Sequence, residues 1–146
     1  DEAVSKIMSS SEILYLLDNS GEVILDTLLL EKIASTGVNV TVGARSKPIL
    51  EDATVEIAKK VGLDDIGKVV PSGESVGVEL EKAPPELQEA LDKSDLVISK
   101  GQANYENISE HEKSLKGKLV YLLTVKCEPV AEVFGVPEGS IVCHAV

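Results

Sequence analysis

Tryptophan is absent from this chain of 146 residues, phenylalanine occurs once and tyrosine three times, so aromatic side chains make up only 3%. Any core must therefore be assembled from Val, Leu, Ile and Ala, within a hydrophobic content of 43%. That composition suits a sheet covered by helices and argues against an all-β sandwich. Cysteine is equally scarce: Cys127 and Cys143 stand far apart with no C-x-x-C spacing, which excludes a zinc cluster or a disulfide framework and fits a reducing cytoplasm. Both read as small buried residues rather than nucleophiles. Basic side chains number 14 against 25 acidic ones, a net charge of -11. Such a balance argues against DNA or RNA as the main partner, because phosphate-backbone binding needs concentrated Lys and Arg. A small phosphorylated ligand stays compatible, since a divalent cation and a few well-placed lysines reverse the sign locally.

No apolar run approaches the length of a membrane span, and Asp1-Glu2-Ala3-Val4 has neither the basic nor the apolar region of a signal peptide. A cytoplasmic protein with no membrane partner is expected. Because the chain begins without Met, it is also expected to be a piece of a longer one. Internal repeats, low-complexity segments and Gly-, Ser- or Pro-rich linkers are missing, and 146 residues is the length of one domain. Neither G-x-G-x-x-G nor G-x-x-x-x-G-K-[ST] occurs, so dinucleotide and P-loop readings have little support.

What is present is an alternation of short apolar runs and helical patterns. Ile13–Leu17 reads as a buried strand ending in the turn Asp18-Asn19-Ser20-Gly21, and Glu22–Ser35 as a helix stopped by Gly37. Val38–Val42 reads as a second strand, followed by a helix from near Pro48 to about Lys60 that stops at Gly62. Further strands are expected at Ile66–Val70, Asp95–Ser99, Lys118–Thr124 and Ile141–Cys143, with helices near Pro84–Leu91 and Glu128–Val133. Strands alternating with helices imply parallel pairing and right-handed crossovers, hence a three-layer α/β/α sandwich with a mostly parallel, Rossmann-like sheet. Pro71–Gly77 is the expected mobile loop. Ligands of such sheets sit beyond the carboxyl ends of the strands, so function is sought there.

After the first strand, Asp18 and Asn19 offer hard oxygen donors of the kind Mg²⁺ and Mn²⁺ prefer, although either residue could equally cap the following helix. Asp52 could complete a metal shell or be one more cap. After the fourth strand, Lys100 could meet a phosphate, and Gly101 lets backbone amides approach it; Lys126 follows the fifth strand. Asp26, one helical turn after Glu22, could support the site or face solvent. His111 and His144 have no partner at metal-ligand spacing and read as surface or packing residues.

The segments Asp18-Asn19-Ser20-Gly21-Glu22, Lys100-Gly101-Gln102-Ala103-Asn104-Tyr105-Glu106 and Lys126-Cys127 resemble motifs of the damage-control phosphatase family, across nearly the whole chain. The resemblance implies a metal-dependent phosphatase acting on damaged or side-product metabolites, sugar phosphates among them. It implies a divalent ion (Mn²⁺, Mg²⁺, Co²⁺ or Ni²⁺) on Asp18, Asn19 and Asp52, with Glu22, Lys100 and Lys126 around the phosphate. Arg45, Gly101 and Asn104 are further expected substrate contacts. Catalytic roles are expected for Asp18, Glu22, Lys100 and Lys126. Where the family shows Asn-Asp-Ala-Thr, this chain has Glu51-Asp52-Ala53-Thr54. Members also carry a helical region before the α/β part, so an upstream helical domain of the same protein is an expected partner.

Three other readings compete. A haloacid-dehalogenase type would use Asp18 as nucleophile and needs an acid two residues later, where Ser20 stands. A non-catalytic nucleotide- or phosphate-binding Rossmann-like domain lacks its glycine motif here. A purely structural module leaves the Asp, Asn, Lys and Gly at successive strand ends unexplained.

Overall fold

The computed structural model describes residues 2–146. Six strands form one sheet: β1 (Glu12–Leu16), β2 (Asn39–Ala44), β3 (Lys68–Pro71), β4 (Leu96–Lys100), β5 (Leu119–Thr124) and β6 (Ile141–Ala145). Their order is β3-β2-β1-β4-β5-β6, all parallel except β6, which runs antiparallel to β5 along the edge. Seven helices connect or flank them: α1 (Glu2–Ser9), α2 (Val23–Ala34), α3 (Val55–Lys60), α4 (Leu63–Ile66), α5 (Pro85–Lys93), α6 (Gln102–Ile108) and α7 (Glu128–Phe134).

The period-two alternation of β1 sorts its side chains between two cores. Ile13 and Tyr15 join Val23, Leu30, Ile33 and Ala58 on the face covered by α1 to α4, while Leu14 and Leu16 join Leu87, Tyr105, Ile108 and Val130 on the face covered by α5 to α7. The sandwich is thus three-layered, and aliphatic as the composition requires. The strand order reverses direction between β1 and β4, so their carboxyl ends diverge into a crevice, the place where open α/β sheets bind ligands.

Four local readings need correction. The helix placed from Pro48 begins only at Val55, capped by the Thr54 hydroxyl, which accepts from the Ile57 amide at 3.2 Å. Residues before it are extended instead: Asp52 bridges to Asn19 and Thr54 to Arg45, so backbone pairing with the site loop outweighs helix propagation there. Ile66 ends α4 rather than opening β3. Pro71–Gly77, expected to be mobile, is tied down: Ser72 is buried and its amide donates to the Ala44 carbonyl, Ser46 donates to the Gly73 carbonyl, and Asn107 Nδ2 holds the Val76 carbonyl at 3.0 Å. Cys143, read as buried, is exposed on the edge strand, while Cys127 is partly buried. Among the described residues, no helix is long and apolar enough to cross a membrane.

Candidate functional site

Asp18 stands two residues beyond Leu16, the last residue of β1, and turns its carboxylate across the crevice toward the end of β4. There it lies directly against Gly101, so closely that a Cβ on Gly101 would overlap the carboxylate atoms. Gly101 has φ +82 and ψ 159, a conformation essentially restricted to glycine. The glycine therefore serves to seat Asp18.

Asp18 is 9% exposed, and among the described residues no hydrogen-bond donor reaches its carboxylate. Burial pushes its carboxyl above the ordinary value; Asp52 and Glu22 add to the rise, against Lys126 and Arg45, which oppose it. A desolvated carboxylate beside two others, with no donor of its own, is an arrangement that a cation relieves. Asn19 and Asp52 complete the donor set, brought together by their backbone bridge. The Asn19 side-chain oxygen accepts from the Gly21 amide at 2.7 Å, one oxygen of Asp52 is held by Arg45 Nε at 2.8 Å, and Asp18, Asn19 and Asp52 line the same hollow. These donors are all oxygens, fitting a hard divalent cation that keeps part of its shell for water or substrate. Among the described residues, no three His, Cys, Asp or Glu side chains converge as a metal cage, so the amide of Asn19 is needed in any such set. The capping alternatives fall away: α2 has no side-chain cap, and Thr54 rather than Asp52 caps α3.

Lys100, at the end of β4, donates to Glu22 and to Asp26, each at 2.9 Å. Burial alone would lower its ammonium, but the hydrogen bonds and charges of Glu22 and Asp26 hold it above the usual lysine value. Asp26 is buried and accepts from the Tyr15 hydroxyl at 2.7 Å. Burial first, then the Asp26 charge, pushes the Tyr15 phenol far above its normal range, so Tyr15 stays a donor. Tyr15 belongs to the site's support, a role its place inside an apolar strand run concealed. The raised Lys100 value gives an alkaline prediction. Its stabilisation is complete below the unfolded lysine pKa of about 10.4 and is lost as pH rises through the higher folded value. Glu22→Gln removes one of the two stabilising ions, so its melting temperature falls less steeply than wild type's as pH rises above about 10.4.

Arg45 and Asn104, expected to touch substrate, are instead almost wholly buried behind the site. Arg45 Nε holds Asp52, Nη1 reaches Ser72 at 3.3 Å and Nη2 donates to Asn104 Oδ1 at 2.7 Å. That same oxygen accepts from the Val78 amide, while Asn104 Nδ2 donates to the carbonyls of Leu17 and Lys100 at 3.0 and 2.8 Å. One amide thus ties β1, β4, the loop after β3 and Arg45 together. Asn104→Leu leaves a buried guanidinium short of an acceptor and two carbonyls unpaired; a loss of about 3–5 kcal/mol is expected, measurable by urea unfolding. Gln102 does similar work on the other side, accepting from the Lys126 amide at 2.7 Å and donating to Glu106 and to Cys127 Sγ.

Lys126 follows β5, and its ammonium forms no ion pair among the described residues. Asp18 and Lys126 are shared by two adjoining hollows. One, of about 500 Å³, reaches Asn19, Asp52, Glu106, Leu50 and Val76; the other, of about 230 Å³, reaches Glu22, Lys100 and Gly101. The structure therefore gathers Asp18, Asn19, Glu22, Asp52, Lys100, Gly101 and Lys126 around one crevice.

Comparison with known proteins shows the family. The profile of the damage-control phosphatase ARMT1-like domain matches residues 1–142. The chain belongs to this family. Damage-control phosphatases of Archaeoglobus fulgidus and Pyrococcus horikoshii are each 40% identical, over 143 and 144 residues, 97% of this chain and 49% of theirs. An uncharacterised protein of Methanocaldococcus jannaschii is 40% identical over 130 residues, 88% of this chain and 43% of its own length. The crystal structure of the Pyrococcus horikoshii DUF89 family protein superposes with a TM-score of 0.92 at 38% identity, covering 99% of this chain and 50% of that one. The chain thus spans about half the length of the damage-control phosphatase relatives it matches. Glu51 accepts from Asn19 Nδ2 at 3.4 Å, and its carbonyl receives both donors of Ser20.

Proposed function

We propose that the crevice hydrolyses phosphate monoesters of small metabolites, sugar phosphates being the first class to try, with a divalent cation (Mn²⁺, Mg²⁺, Co²⁺ or Ni²⁺) held by Asp18, Asn19 and Asp52. The observation that carries this is the Asp18 carboxylate: desolvated, without a hydrogen-bond donor, seated on Gly101 at the sheet's switch point and flanked by Asp52 and Lys126. Family membership supports phosphatase chemistry. When bound, the cation would supply charge neutralisation for the phosphoryl oxygens and a lowered pKa for water.

The remaining work falls to the chain. The unpaired ammonium of Lys126 meets phosphoryl oxygens as charge builds on them, and Lys100 meets them from the β4 side. Lys100 is already shared by two carboxylates, and Glu22, with a side chain 50% exposed, is the one free to give way to an arriving phosphate. Once released, Glu22 is placed to orient or deprotonate the attacking water. Asp26, anchored by Tyr15, keeps Lys100 in place throughout.

The test is phosphate release from sugar phosphates and p-nitrophenyl phosphate, with each metal and with chelator. Turnover that needs metal and falls at least about 10²-fold in Lys126→Met supports the proposal. Undiminished turnover in chelator would overturn the metal, and intact metal binding without release of phosphate from any ester would overturn the hydrolytic reading.

A further inference from the structure

We propose that Leu50 and Val76 form an apolar wall of the substrate pocket, selecting phosphate monoesters whose alcohol carries an apolar carbon face. The inference narrows the phosphatase reading and rests on it for the phosphoryl end. Both residues line the larger hollow together with Asp18 and Lys126, and they are 84% and 52% exposed. An isolated exposed apolar side chain needs no explanation. Here, however, the backbone is arranged to present both.

Leu50 has φ +49, the only non-glycine residue with positive φ among those described. A bulky side chain holds that conformation only where its surroundings impose it. They do so here: the Asp52 amide closes a turn onto the Ile49 carbonyl at 3.0 Å, and Ser20 clamps the Glu51 carbonyl through both its amide and its hydroxyl. The turn that delivers Asp52 to the site thus also delivers Leu50 to its mouth. Val76 is presented from the other side. Its carbonyl is held by Asn107, and Gly77, at φ +73, lies so close to the Ala103 carbonyl that a Cβ would overlap it. Between these two side chains, a bound alcohol would cover apolar surface otherwise left in water, which favours alcohols that present a carbon face, the C–H face of a sugar included, over those that present only hydroxyls.

The decisive measurement is a chain-length series. Binding of n-alkylphosphonates from methyl to hexyl, with Mg²⁺ present, is measured by calorimetry, alongside phosphate release from the matching alkyl phosphates. For wild type, Kd should fall about two- to threefold per added methylene until the wall is covered, short of the roughly fourfold of complete burial. Leu50→Asn, which keeps a residue tolerant of the left-handed backbone, should flatten that slope, and the nearly isosteric Val76→Thr should reduce it by about half. A flat wild-type series, or equal slopes in wild type and Val76→Thr, would overturn the wall even if Leu50→Asn failed to fold. Phosphate release with a flat series removes the wall and leaves the phosphatase. Graded binding with no release removes the phosphatase and leaves the wall, and loss of both removes both.

Discussion

Asp18→Asn is expected to do two opposite things: to reduce metal-dependent phosphate release by about 10³-fold, and to raise the melting temperature of the metal-free protein. The first follows if the carboxylate holds the cation, because Lewis-acid stabilisation contributes several kcal/mol and each 1.36 kcal/mol is about tenfold in rate. The second follows from the crowding. Burial, Asp52 and Glu22 together push the Asp18 carboxyl upward, so its charged form is less favourable folded than unfolded. The sign runs opposite to an ordinary ion-paired Asp: the folded pKa lies above the unfolded one, so the penalty is full above the folded value and vanishes below the unfolded value, about 3.9. At neutral pH the neutral amide escapes it. A gain of about 1 kcal/mol, or about 2–4 °C for a chain of this length, is expected in chelator. Added Mn²⁺ should raise the melting temperature of wild type and leave that of the variant unchanged. A variant that melts lower than wild type in chelator would show that Asp18 is a stabilising structural carboxylate, and the site assignment would fall with it.

Gly101→Ala is expected to destabilise the fold and displace Asp18 from the site at once. The backbone at φ +82 and ψ 159 is costly for any L side chain, and the new Cβ would occupy the place of the Asp18 carboxylate. Two costs therefore add, of about 1–3 kcal/mol for the backbone and a comparable amount for displacing a buried side chain. Thermal unfolding should show a fall of about 4–24 °C, and turnover should fall with Asp18's displacement. A double-mutant cycle separates the two. In Asp18→Gly the overlap is gone, so Gly101→Ala in that background should cost only the backbone share, and the coupling should exceed about 1 kcal/mol. Additive costs would show that Gly101 is required by its own dihedral angles and not by Asp18.

Much of the fold was legible because it is local. Ile13–Leu17 and Asp95–Ser99 are apolar runs of strand length closed by turn residues, and their alternation with helical patterns admits little besides a parallel sheet. The donors at strand ends were legible for the same reason: once Asp18 and Lys100 are assigned to strand termini, the sheet carries them to one edge. Arg45 misled because it too follows a strand, and its sequence neighbours do not reveal that Asp52, Ser72 and Asn104 use its guanidinium. The helix expected from Pro48 misled because Asp52 and Thr54 pair with Asn19 and Arg45, partners that local propensity does not see.

By itself, then, the amino-acid pattern determined the strands, the layering and the end of the sheet where chemistry belongs, all consequences of periodicity within a few residues, while the helix Gln102–Ile108 that carries Asn104 was not among the expected elements. Only the tertiary structure decided which polar groups face the crevice and which stand behind it. Tyr15 and Asp26 behind Lys100, Asn104 behind Asp52, and Leu50 at the mouth take those places through contacts between segments far apart in the chain, and such contacts exist only after β1 and β4 have come together.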